Sequence, residues 1–388
     1  MRFRPRSLAT CVAAMVFLGY DMALSGLAQV VPSVRSVALP ANLYFASIAV
    51  DDQNLVLSGT ATQDGDQGVA CVMAKVELTN LSVKNLLEPR CDDPRLSAAP
   101  IVAVQQYSPS MQSRVRIARI DPKTGHLDVG SVVVTYTQLS DSHLEVAQGP
   151  GYLWLYAPIT SKGAQALRIS DATGAVLQDT VISPAMDRPV IAANANGLFL
   201  AQAGNSGFLG SSRQNSSTAI FRLGIGTNQV EPFDVPSGTP FQGFISWMTG
   251  SGNSLWADVC PRPIDAIACK ITRFVGITGT PVYATTDSEG NGGAGWVVGN
   301  GTTGLYSAVP VGSPETTLYR VVRIDPNNGN ISTLATVTLP DFYNGNADHG
   351  AQSSIVADGA LYLLGPPTGP AGGSLPGRLY RIALGGAS

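Results

Sequence analysis

The sequence is short of charge. Asp, Glu, Lys and Arg make up 13% of its 388 residues, about half the usual share. With 24 basic and 27 acidic residues the net charge is -3, so there is no basic field to recruit nucleic acid. Histidine occurs only 3 times, which leaves little material for imidazole-based acid–base or metal chemistry. Past the N-terminus no apolar run reaches the ~20 residues of a membrane helix, and no stretch of roughly 10 to 15 residues carries helical periodicity. These absences exclude nucleic-acid binders, helical bundles and proteins with several membrane helices.

What is present points to an all-β chain. Hydrophobic residues are 44% of the total, enough for a sizeable core. Gly (42) and Pro (26) are abundant, as many turns between short strands require.

The N-terminus reads as an export signal. Arg2, Arg4 and Arg6 form a positive segment, Ser7 to Tyr20 is apolar, and Gly26-Leu27-Ala28 supplies the small residues of a cleavage site. The apolar run is short for a span and Asp21 follows it directly. Residues 1–28 are therefore expected to be removed. Residues 29–388 would remain as one secreted or periplasmic domain with no membrane span.

Cysteine usage agrees with export. Cys11 leaves with the signal, and Cys71, Cys91, Cys260 and Cys269 remain, an even number that suggests disulfides and allows three connectivities. Cys71 and Cys91 are symmetric about Leu81 at the tip of an expected hairpin, and Cys260 and Cys269 flank "PRPIDAIA" between two strands. The expected pairs are Cys71–Cys91 and Cys260–Cys269, each worth ~3 kcal/mol in the loop-entropy account. The spacing fits no zinc pattern.

The chain repeats itself. An apolar stretch, a basic residue and another apolar residue recur around Lys75, Arg119, Arg168, Arg222, Arg273, Arg323 and Arg381. The spacing is about 50 residues, the size of one four-stranded sheet per repeat. Turns follow the motif: "DPKTG", "DATG" and "DPNNG", where Asp bonds backbone N–H groups, Pro presets φ and Gly takes the positive-φ position. A second hairpin precedes each motif, and its first strand is rich in Ala, Gly and Ser, which suits strands crowded around an axis. With strands A to D numbered outward, the expected fold is a seven-bladed β-propeller of four-stranded antiparallel blades. The last blade lacks its outer strand because the chain ends. Ser33 to Pro40 can supply it, so that N-terminus and C-terminus close the ring.

"RIDPKTG" and "RIDPNNG" after an apolar strand resemble the C–D hairpin of the propeller group that includes quinoprotein-like and YVTN-type repeats. The resemblance covers residues 29–388 and implies the fold. It carries no catalytic residue across. The WD40, kelch and Asp-box signatures are absent.

Extra residues are concentrated in B–C and D–A loops, which lie on one propeller face where ligands usually bind. These are "GNSGFLGSSRQNSS" with Arg213, "PRPIDAIA" with Arg262 and Asp265, "PPTGPAGGSLPG", and "PDFYNGNADHG" with Asp341, Tyr343, Asp348 and His349. Asp348-His349 could form half of an acid–base pair, but an exposed, solvated histidine is the preferred reading. "DGDQG" at 64–68 lacks the later ligands of a calcium loop and reads as a turn. The strand-C basic residues read as packing groups whose stems lie between blades. Trp154, Trp247, Trp256 and Trp296 read the same way.

The expected function is a binding platform for a protein, peptide or glycan through the long-loop face, with no cofactor. The alternative is an enzyme of lactonase, lyase or cyclotransferase type at the channel mouth, with which a divalent metal would fit. A quinone-dependent dehydrogenase would need a Trp platform and a calcium site, and neither can be assigned. The sequence leaves open whether the protein is an enzyme.

Overall fold

The computed structural model describes residues 33–385. Within that range it leaves out 41–42, 52–53, 63–68, 88–92, 99–100, 108–111, 121–126, 138–143, 161–162, 184, 187–188, 203–219, 234–242, 262–269, 278–280, 285–296, 299–303, 312–316, 341, 343–353 and 366–376. Among the described residues there are strands and turns and no helix.

The chain opens with β1 (Val34–Ala38). Sheet 1 is β2 (Leu43–Asp51), β3 (Asn54–Thr62), β4 (Val69–Glu77) and β5 (Val83–Leu87). Sheet 2 is β6 (Asp93–Ala98), β7 (Ile101–Tyr107), β8 (Gln112–Ile120) and β9 (Leu127–Thr137). Sheet 3 is β10 (Glu145–Gly149), β11 (Tyr152–Thr160), β12 (Gly163–Ser170) and β13 (Val176–Ile182). Sheet 4 is β14 (Pro189–Asn194), β15 (Gly197–Gln202), β16 (Ile220–Gly224) and β17 (Val230–Phe233). Sheet 5 is β18 (Gly243–Ser251), β19 (Ser254–Pro261), β20 (Lys270–Val275) and β21 (Pro281–Ala284). Sheet 6 is β22 (Val297–Val298), β23 (Leu305–Pro310), β24 (Leu318–Ile324) and β25 (Ile331–Thr338). Sheet 7 joins β26 (Ser354–Ala357), β27 (Ala360–Gly365) and β28 (Arg378–Ala383) to β1. Every pairing is antiparallel, and strands follow chain order within each sheet except for β1.

The turns form for the reasons the sequence suggests. In "DPNNG" the Asp325 carboxylate accepts from Asn327 N–H at 2.7 Å, its carbonyl accepts from Gly329 N–H at 2.9 Å, and Gly329 has φ 75°. In "DATG" the same geometry starts one residue earlier. Ser170 Oγ accepts from Thr173 N–H and the Ser170 carbonyl from Gly174 N–H, so Ser170 does the work expected of Asp171.

The cores lie between successive sheets, not within one. Val115, Ile117, Leu153 and Leu167 join sheets 2 and 3. Trp154, Tyr156, Leu198 and Leu223 join 3 and 4, and Phe199, Ile220, Met248 and Phe274 join 4 and 5. Trp256 and Ile324 join 5 and 6, Tyr319 and Tyr380 join 6 and 7, and Leu57, Val76, Tyr362 and Leu379 join 7 and 1. First strands also approach one another in sequence: β2 with β6, β6 with β10, β10 with β14, β14 with β18, β18 with β22, β22 with β26, and β26 with β2.

Small residues on these first strands have a direct cause. A Cβ on Gly250 of β18 would collide with the Ala193 carbonyl of β14. Sheet 2 is the least regular in sequence. "LSAAPIVAV" covers parts of both β6 and β7, with Ala98 ending one strand and Ile101 starting the next. In sheet 1 the β4–β5 ladder pairs Val76 with Val83 and Met73 with Leu87. Its centre therefore lies N-terminal to Leu81, which sits in the turn at φ 59°.

Candidate functional site

Antiparallel order fixes two ends on every sheet. The connections between first and second strands and between third and fourth strands share one end. Those between second and third strands, and from the fourth strand to the next sheet, share the other. The first end is short: among the described strands its longest connections are 78–82, 121–126, 171–175, 225–229, 276–280, 299–304 and 325–330. The second end carries 203–219, 285–296, 339–353 and 366–377. The segments expected to form a recognition face therefore all fall at one end.

The second end is rooted by aromatic residues. Phe342, 7% exposed, opens the long connection from sheet 6 to sheet 7 and sits between the two sheets. It packs edge-on against Tyr319 of β24 (5.2 Å between centroids) and Tyr380 of β28 (5.6 Å). The Tyr319 hydroxyl donates to the Phe342 carbonyl at 2.9 Å, and the Tyr380 hydroxyl to the Pro340 carbonyl. Gly365 makes room, since a Cβ there would stand 3.2 Å from the Tyr380 ring and 3.3 Å from Phe342. Burial pushes the Tyr319 phenol up to about 12, so it stays a neutral donor at ordinary pH. The connection from sheet 3 to sheet 4 has a parallel root. The Tyr156 hydroxyl donates to the Met186 carbonyl at 3.0 Å and accepts from Met186 N–H at 2.8 Å.

The first end is cross-bonded from sheet to sheet. The Tyr152 hydroxyl of sheet 3 donates to the Asn194 carbonyl at 2.5 Å, and Asn194 Nδ2 donates to the Ser254 carbonyl of sheet 5 at 3.0 Å. Arg273 donates to Ser254 Oγ through Nε and Nη2, and through Nη1 to the Pro326 carbonyl of sheet 6. Gln178 Nε2 donates to the Gly224 and Thr227 carbonyls of sheet 4, and its Oε1 accepts from Gly226 N–H. The Tyr362 hydroxyl of sheet 7 donates to the Leu78 carbonyl of sheet 1 at 3.5 Å.

The repeated basic residues belong to this welding. Arg168, Arg222, Arg273, Arg323 and Arg381 stand opposite Trp154, Phe199, Trp256, Tyr306 and Tyr362 respectively. The Arg273 guanidinium lies over the Trp256 ring at 5.6 Å, and Arg168 over Tyr152 at 5.4 Å. Arg381 Nε donates to the Tyr362 hydroxyl. Burial raises the phenols of Tyr152 and Tyr362, while Arg168 and Arg381 draw them back. Arg168 and Arg273 take the packing role read for these cations, whereas Arg222 pairs with Glu231 of its own sheet at 3.1 Å. Their aromatic partners were not picked out as a repeat, although the signal is visible. Leu153-Trp154, Leu198-Phe199, Leu255-Trp256, Leu305-Tyr306 and Leu361-Tyr362 all follow a turn.

Arg213, Arg262, Asp265, Asp341, Tyr343, Asp348 and His349 lie outside the described residues, as do Cys91 and Cys269. Cys71 stands on β4 opposite Thr60 and Cys260 on β19 opposite Phe244. Among the described residues no group of three or more His, Cys, Asp or Glu could hold a metal ion.

Stacked four-stranded antiparallel sheets with cores between them define the β-propeller class, and comparison with solved structures agrees. The propeller domain of the Trilobed protease from Pyrococcus furiosus is similar at 10% identity and a TM-score of 0.58, over 88% of this chain and 94% of that one. Acylaminoacyl peptidase from Pyrococcus horikoshii gives 10% identity and 0.55, over 87% of this chain and 51% of that one. A prolyl endopeptidase gives 10% identity and 0.50, over 79% and 43%. The chain thus spans about half or less of these two longer peptidases. No protein-family model matches the chain, and no curated protein matches it in sequence.

Proposed function

We propose that the chain is an exported propeller of seven blades, closed by β1 on β28, and that it serves as a binding platform for a protein, peptide or glycan. One observation carries the platform reading. The long connections all fall at one end of the sheets, while the other end is given over to short turns bonded from sheet to sheet. Arg213, Arg262, Asp265, Asp341, Tyr343, Asp348 and His349 belong to that long end by chain position and would supply the polar contacts. Closure is supported by the β1–β28 ladder, which runs from Val34↔Ile382 to Ala38↔Arg378, and by the core shared between sheets 7 and 1.

Export to a secreted or periplasmic compartment rests on residues 1–28. It makes disulfides chemically reasonable. The β19–β20 ladder ends on Val259↔Lys270. Cys260 follows Val259 and Cys269 precedes Lys270 in the sequence, so the two cysteines flank the connection that this ladder closes. The Cys71–Cys91 pair is proposed from sequence symmetry alone.

Screening the mature chain (29–388) against glycan and peptide arrays tests the platform. A combined Arg213→Ala, Arg262→Ala, Asp348→Ala, His349→Ala variant should keep its melting temperature and lose the ligands that the parent retains. Retention of the same ligands at the same strength would place recognition elsewhere.

A further inference from the structure

The outer strands of the sheets are not alike. β1 exposes Arg35, and β5 exposes Lys84. β17 carries Glu231 and Pro232 in four residues, and β21 starts on Pro281. β9 exposes Val132, but its ladder breaks on either side of that position. β25 exposes Ser332, Thr333, Thr336 and Thr338. Charge, proline, irregular register and short strands are the usual guards against a further strand adding to a sheet edge. β13 carries one charge, Asp179, and no proline. It exposes Val176 (43%), Leu177 (50%) and Val181 (61%), and its one register break falls at Leu177, which the β12 ladder passes over.

β13 is also held rigidly from behind. Its alternate residues Gln178, Thr180 and Ile182 are buried. Gln178 bonds Gly224, Gly226 and Thr227 of sheet 4, Thr180 Oγ1 bonds Asn228, and Ile182 enters the core shared with sheet 4. The opposite row reads Leu177, Asp179, Val181, all exposed. Gln165 Nε2 holds the Asp179 carboxylate at 2.9 and 3.0 Å. Within its sheet the strand pairs only with β12, so its outer edge offers alternate backbone N–H and C=O groups to solvent.

We propose that β13 is a docking edge for an extended segment of a partner protein, one that sets a basic residue between two apolar ones. Added in register, such a strand would pair its cation with Asp179 and one apolar side chain with Val181, with the second apolar side chain beside Leu177 at the register break. Its main chain would complete the edge hydrogen bonds, as in strand addition generally. A pre-ordered strand keeps the entropy lost on binding small on this side of the interface. The edge runs along the last strand of sheet 3, from the hairpin end at Val176 to the connection that follows Ile182.

The test uses the mature chain and a blocked synthetic peptide, Thr-Val-Thr-Lys-Thr-Val-Thr, with a Lys-to-Glu control. Fluorescence anisotropy should show saturable binding of the Lys peptide and roughly fivefold weaker binding of the Glu peptide. Hydrogen exchange should slow in 176–182 on binding. Val181→Lys and Leu177→Lys should abolish binding with unchanged melting, since both sites are exposed. Asp179→Lys should reverse the preference in favour of the Glu peptide. Absence of saturable binding, or binding that Val181→Lys leaves intact, would overturn the proposal. So would a concentration-dependent dimer in sedimentation that Val181→Lys removes, because the occupant would then be a second copy of this chain.

Discussion

The two ends of the sheets solve different problems with the same strands. At the hairpin end, short turns let neighbouring sheets bond directly: Asn194 to Ser254, Arg273 to Pro326, Gln178 to Gly224. At the other end the connections are long, and order is supplied where they leave the sheets, by Phe342 under Tyr319 and Tyr380 and by Met186 on Tyr156. The long end can vary freely, because extending a surface loop costs little closure entropy.

The C-terminal strand β28 reaches both ends of its sheet. Deleting 378–388 removes β28, strips β27 and β1 of a partner and takes out buried Leu379, Tyr380 and Ile382. The expected result is loss of a cooperative melting transition. A truncated chain that melts like the parent would show that β28 is dispensable. Phe342→Ala should be the next most severe change. It empties a site shared by sheets 6 and 7, and removal of a buried Phe usually costs about 3 to 5 kcal/mol. Denaturant melts would read this loss, and a drop below 1 kcal/mol would mean that the long connection has no fixed root. Gly250→Ala probes the hairpin end, where the new methyl meets the Ala193 carbonyl. Forcing β14 and β18 apart should cost about 1 to 3 kcal/mol, whereas Gly226→Ala, with nothing near its Cβ site, tests only backbone strain at φ 73°.

The smallest effect is a pH dependence at the long end. Tyr319 has its phenol pushed up from 10.0 to about 12 by burial. The folded chain therefore holds this proton more tightly than the unfolded chain does. Its contribution is complete below pH 10 and falls as pH rises from about 10 towards 12. Tyr319→Phe should flatten that part of the stability curve while losing about 1 kcal/mol near neutrality with the hydrogen bond to Phe342. An unchanged alkaline slope in the variant would assign the titration to another group.

Much of the architecture was legible because it repeats. The basic residue and its turn mark the third strand of most sheets, and Asp325 acts in its turn as its sequence context suggests. The exceptions have local causes. Ser170 replaces Asp as the turn opener one position earlier than "DATG" indicates, because its hydroxyl accepts from Thr173 N–H and its carbonyl from Gly174 N–H. In sheet 2 only Ala99 and Pro100 separate the two strands, so β6 and β7 read like one strand in the sequence. Arg119 stands opposite Ile101 instead of an aromatic residue, which makes this repeat hard to align. Phe342 was hidden for a different reason. A single apolar residue in a polar connection has no period, and only packing against Tyr319 and Tyr380 shows its role. The recognition residues were named from loop length, which chain position supports. Their chemistry depends on side-chain arrangements that spacing does not encode.

We have proposed that β1 closes a single ring on β28. Hydrogen exchange of the mature chain, read segment by segment, tests this. Closure predicts that amides of 34–38 exchange as slowly as those of 378–383 and that both open only with global unfolding, because the two segments share one ladder. Fast exchange of 34–38 while 378–383 stays protected would contradict it and leave sheet 7 open at its outer edge.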